Sequence, residues 1–310
     1  MKKIKKILKW TGVVLLILVS GIAVVTASRQ NLKYEAPYPN IQTTNDSTVI
    51  AKGRHLVNAI AHCNDCHSKA NNDSLINLGQ DVSLSGGVAF ELPVGTIYSA
   101  NITSDSTYGI GKFTDKEIAR VLRYGVHPDG SAVYDFMPFH NLSDSDLIAV
   151  LSYLRMQKPV AMQKPDNKLN IMGNIVKAFL IKPVGPSETI QATVQPDSTA
   201  DYGKYLVYNV GNCNGCHTQR TLSGVYTGEP FAGGNEMPNG MVTPNITTDS
   251  SGRIFGWSQE AFVNRFRAGK LIPQSEMPWN SFKRMNDVEL KAIYKFLQTV
   301  KPVKTKVRKG

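Results

Sequence analysis

The sequence predicts an all-α protein in which an N-terminal transmembrane helix precedes two tandem domains of one design. A long apolar run follows a lysine cluster at the start. Short motifs recur in one order through the rest of the chain. Between them, apolar residues fall at helical spacing behind capping residues, and the intervening stretches carry Gly, Ser, Thr and Asn.

The apolar run covers Thr11 to Ala27, directly after Lys2, Lys3, Lys5, Lys6 and Lys9. Its 17 residues sit at the lower edge of what crosses a bilayer as a helix, where about 20 is usual. Lysines before the run and few after it predict a cytoplasmic N-terminus and an exported body. A cleaved signal peptide is the rival reading, with the small residues of Val25-Thr26-Ala27 ahead of Ser28. The length of the run, beyond the usual signal core, favours a retained anchor. No cysteine stands directly after it, which excludes a lipoprotein anchor.

The 310 residues carry a net charge of +11. The first ten residues supply five of these charges; Lys301, Lys304, Lys306, Arg308 and Lys309 supply five more. The body between is left at +1, so the charge belongs to the tails. A nucleic-acid binder carries its basic face on the folded body, so this function class is excluded.

The repeat begins with Gly53-Arg54-His55-Leu56-Val57, matched by Gly203-Lys204-Tyr205-Leu206-Val207. Asn101-Ile102-Thr103-Ser104-Asp105 returns as Asn245-Ile246-Thr247-Thr248-Asp249, Met137-Pro138-Phe139 as Met277-Pro278-Trp279, and Lys158-Pro159-Val160 as Lys301-Pro302-Val303. The drifting offsets fit loop insertions and deletions within a tandem duplication, not a short-period solenoid. The expected organisation is an anchor or signal segment at 1–29, a first domain at 46–160, a linker at 161–195, a second domain at 196–303 and a basic tail at 304–310.

In the first copy a helix leads into the first cysteine tract. A second begins at Thr114-Asp115-Lys116-Glu117, a capping-box pattern, with Ile118, Val121 and Leu122 on one face. A third begins at Ser143, with Asp146 three residues on and Leu147, Leu151 and Leu154 at helical spacing. Asn286 and Glu289 open its counterpart, which carries Leu290, Ile293 and Leu297. Lys158-Pro159 and Lys301-Pro302 mark where these helices must stop. Leu84 to Gly111 reads as loop. Ile171 to Ile181 is apolar with one charge, Lys177, and predicts a short helix packed on the domains.

Cys63-Asn64-Asp65-Cys66-His67 recurs as Cys213-Asn214-Gly215-Cys216-His217, and together the copies use all four cysteines. C-x-x-C-H is the attachment pattern of c-type haem: each thiol adds to one vinyl group, and the adjacent histidine reaches the iron. Paired C-x-x-C zinc sites sit about 15–20 residues apart, far closer than these tracts. A thioredoxin-type pair needs no histidine after its second cysteine. Two covalently bound c-type haems are the expectation.

The remaining axial ligand decides function: histidine or an open position permits ligand chemistry, whereas methionine gives an electron carrier of raised potential. After His140 the chain has only His217, so the second site is left with Met237, Met241, Met277 and Met285. Of these only Met277 has an equivalent, Met137, in the first copy. Met156, Met162, Met172 and Met285 read as core filler. His55, His62, His127 and His140 have counterparts Tyr205, Asn212, roughly Leu271, and Asn280, so they read as surface or supporting residues, with His140 nearest the ligand position.

With these motifs in place, the chain resembles the membrane-bound cytochrome c subunits of bacterial alcohol and related quinoprotein dehydrogenases. The likeness runs from about residue 50 to 303. It is closest at Gly203–Val207 through Cys213, Cys216, His217-Thr218 and Arg220, and at Asn101-Ile102-Thr103, Gly109-Ile110-Gly111 and Met137-Pro138. The resemblance implies haem attachment at Cys63, Cys66, Cys213 and Cys216, with axial ligation by His67, Met137, His217 and Met277. Those subunits generally carry one haem domain more than is read here. The functional expectation is an electron-transfer protein rather than an enzyme, anchored in the cytoplasmic membrane with its haem domains on the periplasmic side. It would pass single electrons between a dehydrogenase or membrane complex and an oxidase or another cytochrome. The alternative is a haem enzyme such as a dihaem peroxidase. A thiosulfate-oxidising site would need a free distal cysteine, and a haem sensor an attached signalling module; the sequence offers neither.

Overall fold

A computed structural model describes residues 2–69, 72–137, 139–221 and 224–306. Helix α1 (Lys2–Ser28) takes in the whole apolar run. Its most apolar stretch has a mean hydropathy of 2.3 and is 0% buried, so it projects from the rest of the molecule. An extended strap of 32–46 leads to the body and is tied down by Asp115, which accepts from Thr43 N at 2.8 Å and Thr43 Oγ1 at 2.7 Å.

The body holds two runs of elements that share a first helix, a π-helical turn, a cysteine helix and two later helices, each run adding one short helix at a different place. The first comprises α2 (Ser47–His55), a π-helical turn (Leu56–Ile60), α3 (Cys63–His67), α4 (Asp73–Asn77), α5 (Asp115–Tyr124) and α6 (Asp144–Arg155). After α7 (Ile171–Phe179) come α8 (Ala200–Tyr205), a second π-helical turn (Leu206–Val210), α9 (Cys213–His217), α10 (Gln259–Arg267), α11 (Trp279–Phe282) and α12 (Asp287–Thr299). Helix starts follow the capping chemistry. Thr114 and Glu117 close a full capping box, as do Asn286 and Glu289, and Ser143 accepts from Asp146 N.

The repeated motifs have structural reasons. In each half the first helix crosses the last at a glycine: a Cβ on Gly53 would collide with the Ala149 carbonyl, and one on Gly203 with that of Ala292. Asn101 Nδ2 donates to Val160 O at 2.8 Å, and Asn245 Nδ2 to Val303 O at 2.7 Å. Thr103 Oγ1 and Thr247 Oγ1 accept from the amides of the same two valines. The Asn-Ile-Thr and Lys-Pro-Val motifs are therefore two ends of one staple. Arg123 on α5 donates to Leu142 O and Asp144 at the start of α6, and Arg267 on α10 donates to Lys283 O and Asp287 at the start of α12.

One cluster of buried apolar side chains runs through both halves, from Leu56 and Leu151 to Leu206 and Leu290. The halves are also joined by polar pairs. His55 Nε2 lies 2.8 and 3.0 Å from the Glu289 carboxylate oxygens. At the matching position Tyr205 donates to Asp146 Oδ2 at 2.5 Å. Ser281 donates to Asp65 at 2.6 Å.

The structure departs from the sequence reading in two places. The stretch read as loop from Leu84 to Gly111 contains a hairpin, β1 (Ala89–Leu92) and β2 (Gly95–Tyr98), extended by β3 (Lys168–Leu169) into an antiparallel sheet of order β1-β2-β3. The helical body thus carries a small sheet. Its strands are too short to show period-two patterning beside so many turn residues. Met285 is buried as core filler, but Met156 and Met172 are 60% and 59% exposed and fill nothing.

Candidate haem-binding site

Each C-x-x-C-H tract begins at a residue forced into left-handed backbone. His62 has φ 40° and Asn212 φ 49°, and both stand between a π-helical turn and the short cysteine helix. The π turn adds a residue per turn, and the left-handed residue then reverses the chain so that α3 and α9 start afresh. Such conformations cost energy in non-glycine residues and cluster at functional sites.

His67 and His217 are both buried. His67 Nδ1 lies 2.8 Å from Ala100 O, and His217 Nδ1 2.9 Å from Pro244 O. A carbonyl only accepts, so Nδ1 carries the proton in both rings. Burial lowers both imidazole pKa values, keeping the rings neutral. Each Nε2 is then a bare lone pair, the form that ligates a metal, with its orientation fixed by the backbone partner. The loop providing that partner runs close against the histidine. Gly86 N donates to His67 O and Gly233 N to His217 O, both at 2.7 Å. Gly86 and Gly233 have φ of 68° and 70°, and a side chain on either would press into the backbone at Ala100 or Pro244. Glycine is required there for both space and conformation.

A cleft of about 250 Å³ opens between the first cysteine tract and the loops facing it. Cys63, Cys66, His67 and Met137 all line it, although Met137 is 70 positions from His67 in sequence. Ile102, Ile110, Phe113, Ile118, Leu122 and Leu154 supply apolar walls. His127 also lines the cleft, as does Asn212 from the second half. His140 is buried with Nε2 3.1 Å from Asp135, His55 is engaged by Glu289, and His62 stacks edge-on against Phe282.

In the second half Met277 is half-buried against the core. Its backbone matches that of Met137: Trp279 N donates to Met277 O at 2.7 Å, and Phe139 N to Met137 O at 2.9 Å. Pro278, between them, has φ −73° and ψ 61°, the centre of an inverse γ-turn. Pro138 lies outside the described residues.

The thiols lack the lowered pKa of a reactive redox pair. Burial pushes Cys63 and Cys213 up to about 12 and Cys66 up to about 11, whereas reactive C-x-x-C thiols are lowered. Among the described residues no group of three or more His, Cys, Asp or Glu is placed to hold a metal ion. Two thiols, one neutral imidazole and one thioether around an apolar cleft fit a c-type haem instead. The Nδ1 acceptors went unread in the sequence, yet a signal existed: Ala100 and Pro244 each directly precede a repeated Asn-Ile-Thr.

Cleft and donor set together fit the binding of a c-type haem. The relatives agree. The chain is 28% identical over 282 residues to the cytochrome c subunit of a quinone-dependent alcohol dehydrogenase from Gluconacetobacter polyoxogenes, covering 83% of this chain and 57% of that protein. It is 28% identical over 266 residues to the fructose dehydrogenase cytochrome subunit of Gluconobacter japonicus, covering 81% and 52%. To a dihaem cytochrome c-type protein of Cereibacter sphaeroides it is 30% identical over 196 residues, covering 60% and 63%. The chain thus spans little more than half the length of the dehydrogenase subunits it matches. No family model matches it. The chain is related to cytochrome c subunits of dehydrogenases, and electron transfer is the general function these relatives share.

Proposed function

We propose that this chain is a dihaem electron carrier, built as two tandem cytochrome c domains and held by α1 at the outer face of the cytoplasmic membrane. It accepts single electrons from an extracytoplasmic dehydrogenase or membrane complex and passes them to a terminal acceptor such as an oxidase or another cytochrome. The observation that carries this reading is the cleft on which Cys63, Cys66, His67 and Met137 converge. Cys63 and Cys66 would hold one haem covalently, with His67 and Met137 as axial ligands; Cys213, Cys216, His217 and Met277 would do the same for a second. A haem so held supplies a one-electron centre that cycles between iron(III) and iron(II). With His67 and Met137, or His217 and Met277, both donating to it, a bound haem would supply one-electron chemistry with no open position for substrate.

The contacts between the halves support a single two-centre body. The turns before the two cysteine tracts meet: a Cβ on Gly211 would lie 3.7 Å from Ile60 Cγ2. His55 with Glu289 and Tyr205 with Asp146 occupy matching positions, as at a two-fold interface between copies. The names of the relatives support a dehydrogenase as donor. The purified protein should contain two haems per chain, both low-spin and six-coordinate, with a weak far-red thioether–iron(III) band accounting for both. The ferrous form should bind carbon monoxide slowly. Rapid binding at one haem, accompanied by peroxide turnover, would overturn the carrier reading.

A further inference from the structure

Helix α7 lies in the segment that joins the two halves, and it presents apolar side chains outward. Ile171 is 82% exposed, Met172 59%, Phe179 38% and Leu180 56%. Ile171, Met172, Ile175 and Phe179 share one helix face by the 3.6-residue period. Its far side is anchored at Gly173, where a Cβ would strike the Val94 carbonyl of the hairpin turn, and Ala178, at the stripe's edge, is buried. The helix is thus fixed to the body with its apolar stripe unpaired.

Its position relative to α1 indicates what covers that stripe. Gln30 Nε2 donates to Asn174 O at 2.9 Å, and Arg29 Nε to Ala178 O at 2.8 Å. The Arg29 guanidinium sits 5.5 Å from the centre of the Phe179 ring. Thr26, in the last turn of the apolar run, is half-buried while Val24 and Val25 remain exposed. The end of α1 therefore meets α7 at the level of Thr26 to Gln30, where a membrane span leaves the hydrocarbon. From Lys168 to Ser187 the chain carries Lys168, Lys177 and Lys182 and no acidic residue. An apolar stripe flanked by lysines is the composition of a helix lying in the headgroup region of an anionic bilayer.

We propose that α7 is a membrane-surface helix: Ile171, Met172 and Phe179 insert at the headgroup–acyl boundary beside the exit of α1, and hold the haem-bearing body against the bilayer. The proposal rests on reading α1 as a retained span. A free hinge at the end of α1 would let the body tumble away from the surface; α7 removes that freedom through contacts at both Asn174 and Ala178.

The test uses full-length, haem-loaded protein reconstituted into vesicles of phosphatidylcholine and phosphatidylglycerol. A nitroxide is placed at Ile171→Cys, and a second sample carries it at Lys270→Cys, an exposed site in the second half. The unsubstituted chain serves as the labelling blank. Collision with oxygen and with a water-soluble nickel chelate reports depth. At position 171 oxygen access should exceed nickel access several-fold relative to position 270. Retention of the unsubstituted chain in washed membranes is measured separately. A retained chain with an aqueous label at 171 overturns this inference and leaves the anchor standing. A chain released by washing, whose label still enters added vesicles, keeps α7 as a surface helix and removes the anchor. Release with an aqueous label removes both.

Discussion

Replacing Gly233 with alanine tests whether backbone packing beside His217 sets the properties of the haem proposed at Cys213–His217. The new Cβ would lie 2.3 Å from Thr243 O and 2.6 Å from Pro244 O, where ordinary contact begins at 3.4 Å, so the whole Thr243–Pro244 backbone must move. Pro244 O accepts from His217 Nδ1 at 2.9 Å. A retreat of ~0.8 Å along the bond carries the pair to ~3.7 Å, outside hydrogen-bonding range. Left-handed backbone in a non-glycine residue costs about 1–2 kcal/mol in addition. His217 would then lose the partner that strengthens its donation to iron. A weaker donor stabilises iron(III) less, so the potential of the second haem should rise, by about 59 mV for each tenfold loss of relative stabilisation. Redox titration followed by the far-red band, with a thermal melt of the haem-loaded protein, measures both effects. Gly224→Ala is the control, since Gly224 also has positive φ (+86°) but open space around its Cβ position. It should cost backbone strain and leave both potentials alone. Equal potentials in Gly233→Ala and wild type, with a melt no lower than the control's, would refute the reasoning.

Met277→His should keep the second haem bound but lower its potential, because imidazole donates more strongly than thioether; Met241→Leu should change neither haem, and spectral redox titration separates the two. Asp115→Asn should destabilise the protein at neutral pH but not in acid. Burial alone would raise the Asp115 pKa, but hydrogen bonds from Thr43 and from Arg155 outweigh it and hold the carboxyl below its usual value. A lowered folded-state pKa contributes stability above the unfolded value and loses it as pH falls through the folded one. The melting gap between Asp115→Asn and wild type should therefore be present at pH 7 and close progressively below about pH 4. Asn245→Ala removes the donor to Val303 O and leaves the buried Thr247 amide without its acceptor, at a cost of roughly 2–4 kcal/mol. A melt within one degree of wild type would show that the staple is dispensable.

The helices were legible because their determinants are local. Thr114 and Glu117, Ser143 and Asp146, and Asn286 and Glu289 act within one turn, so a reader of the sequence sees the whole interaction. The hairpin at Ala89–Tyr98 escaped because its stabilising partner, Lys168–Leu169, lies some 70 residues on and contributes two paired positions. The exposure of Met156 and Met172 was equally invisible: composition says what a side chain can fill, and only packing says whether a gap exists beside it.

The candidate site divides on the same line. Cysteines and histidines of one tract are adjacent in the chain, so their chemistry is spelled out, and the lack of another histidine together with the repeat singled out Met277 and its equivalent Met137. What the sequence withheld is how the tract is shaped. His62 and Asn212 are of the non-glycine types most often found in left-handed backbone, but that leaning is too weak to place the turn without the π-helical turn that precedes each. Asn212 carries the further consequence. It belongs to the second tract but lines the cleft of the first, so the two sites are assembled against each other. A change at the entrance of one cysteine helix is therefore felt at the other, which is why substitution at Asn212 should perturb the Cys63–His67 site even though its nearest sequence neighbour is Cys213.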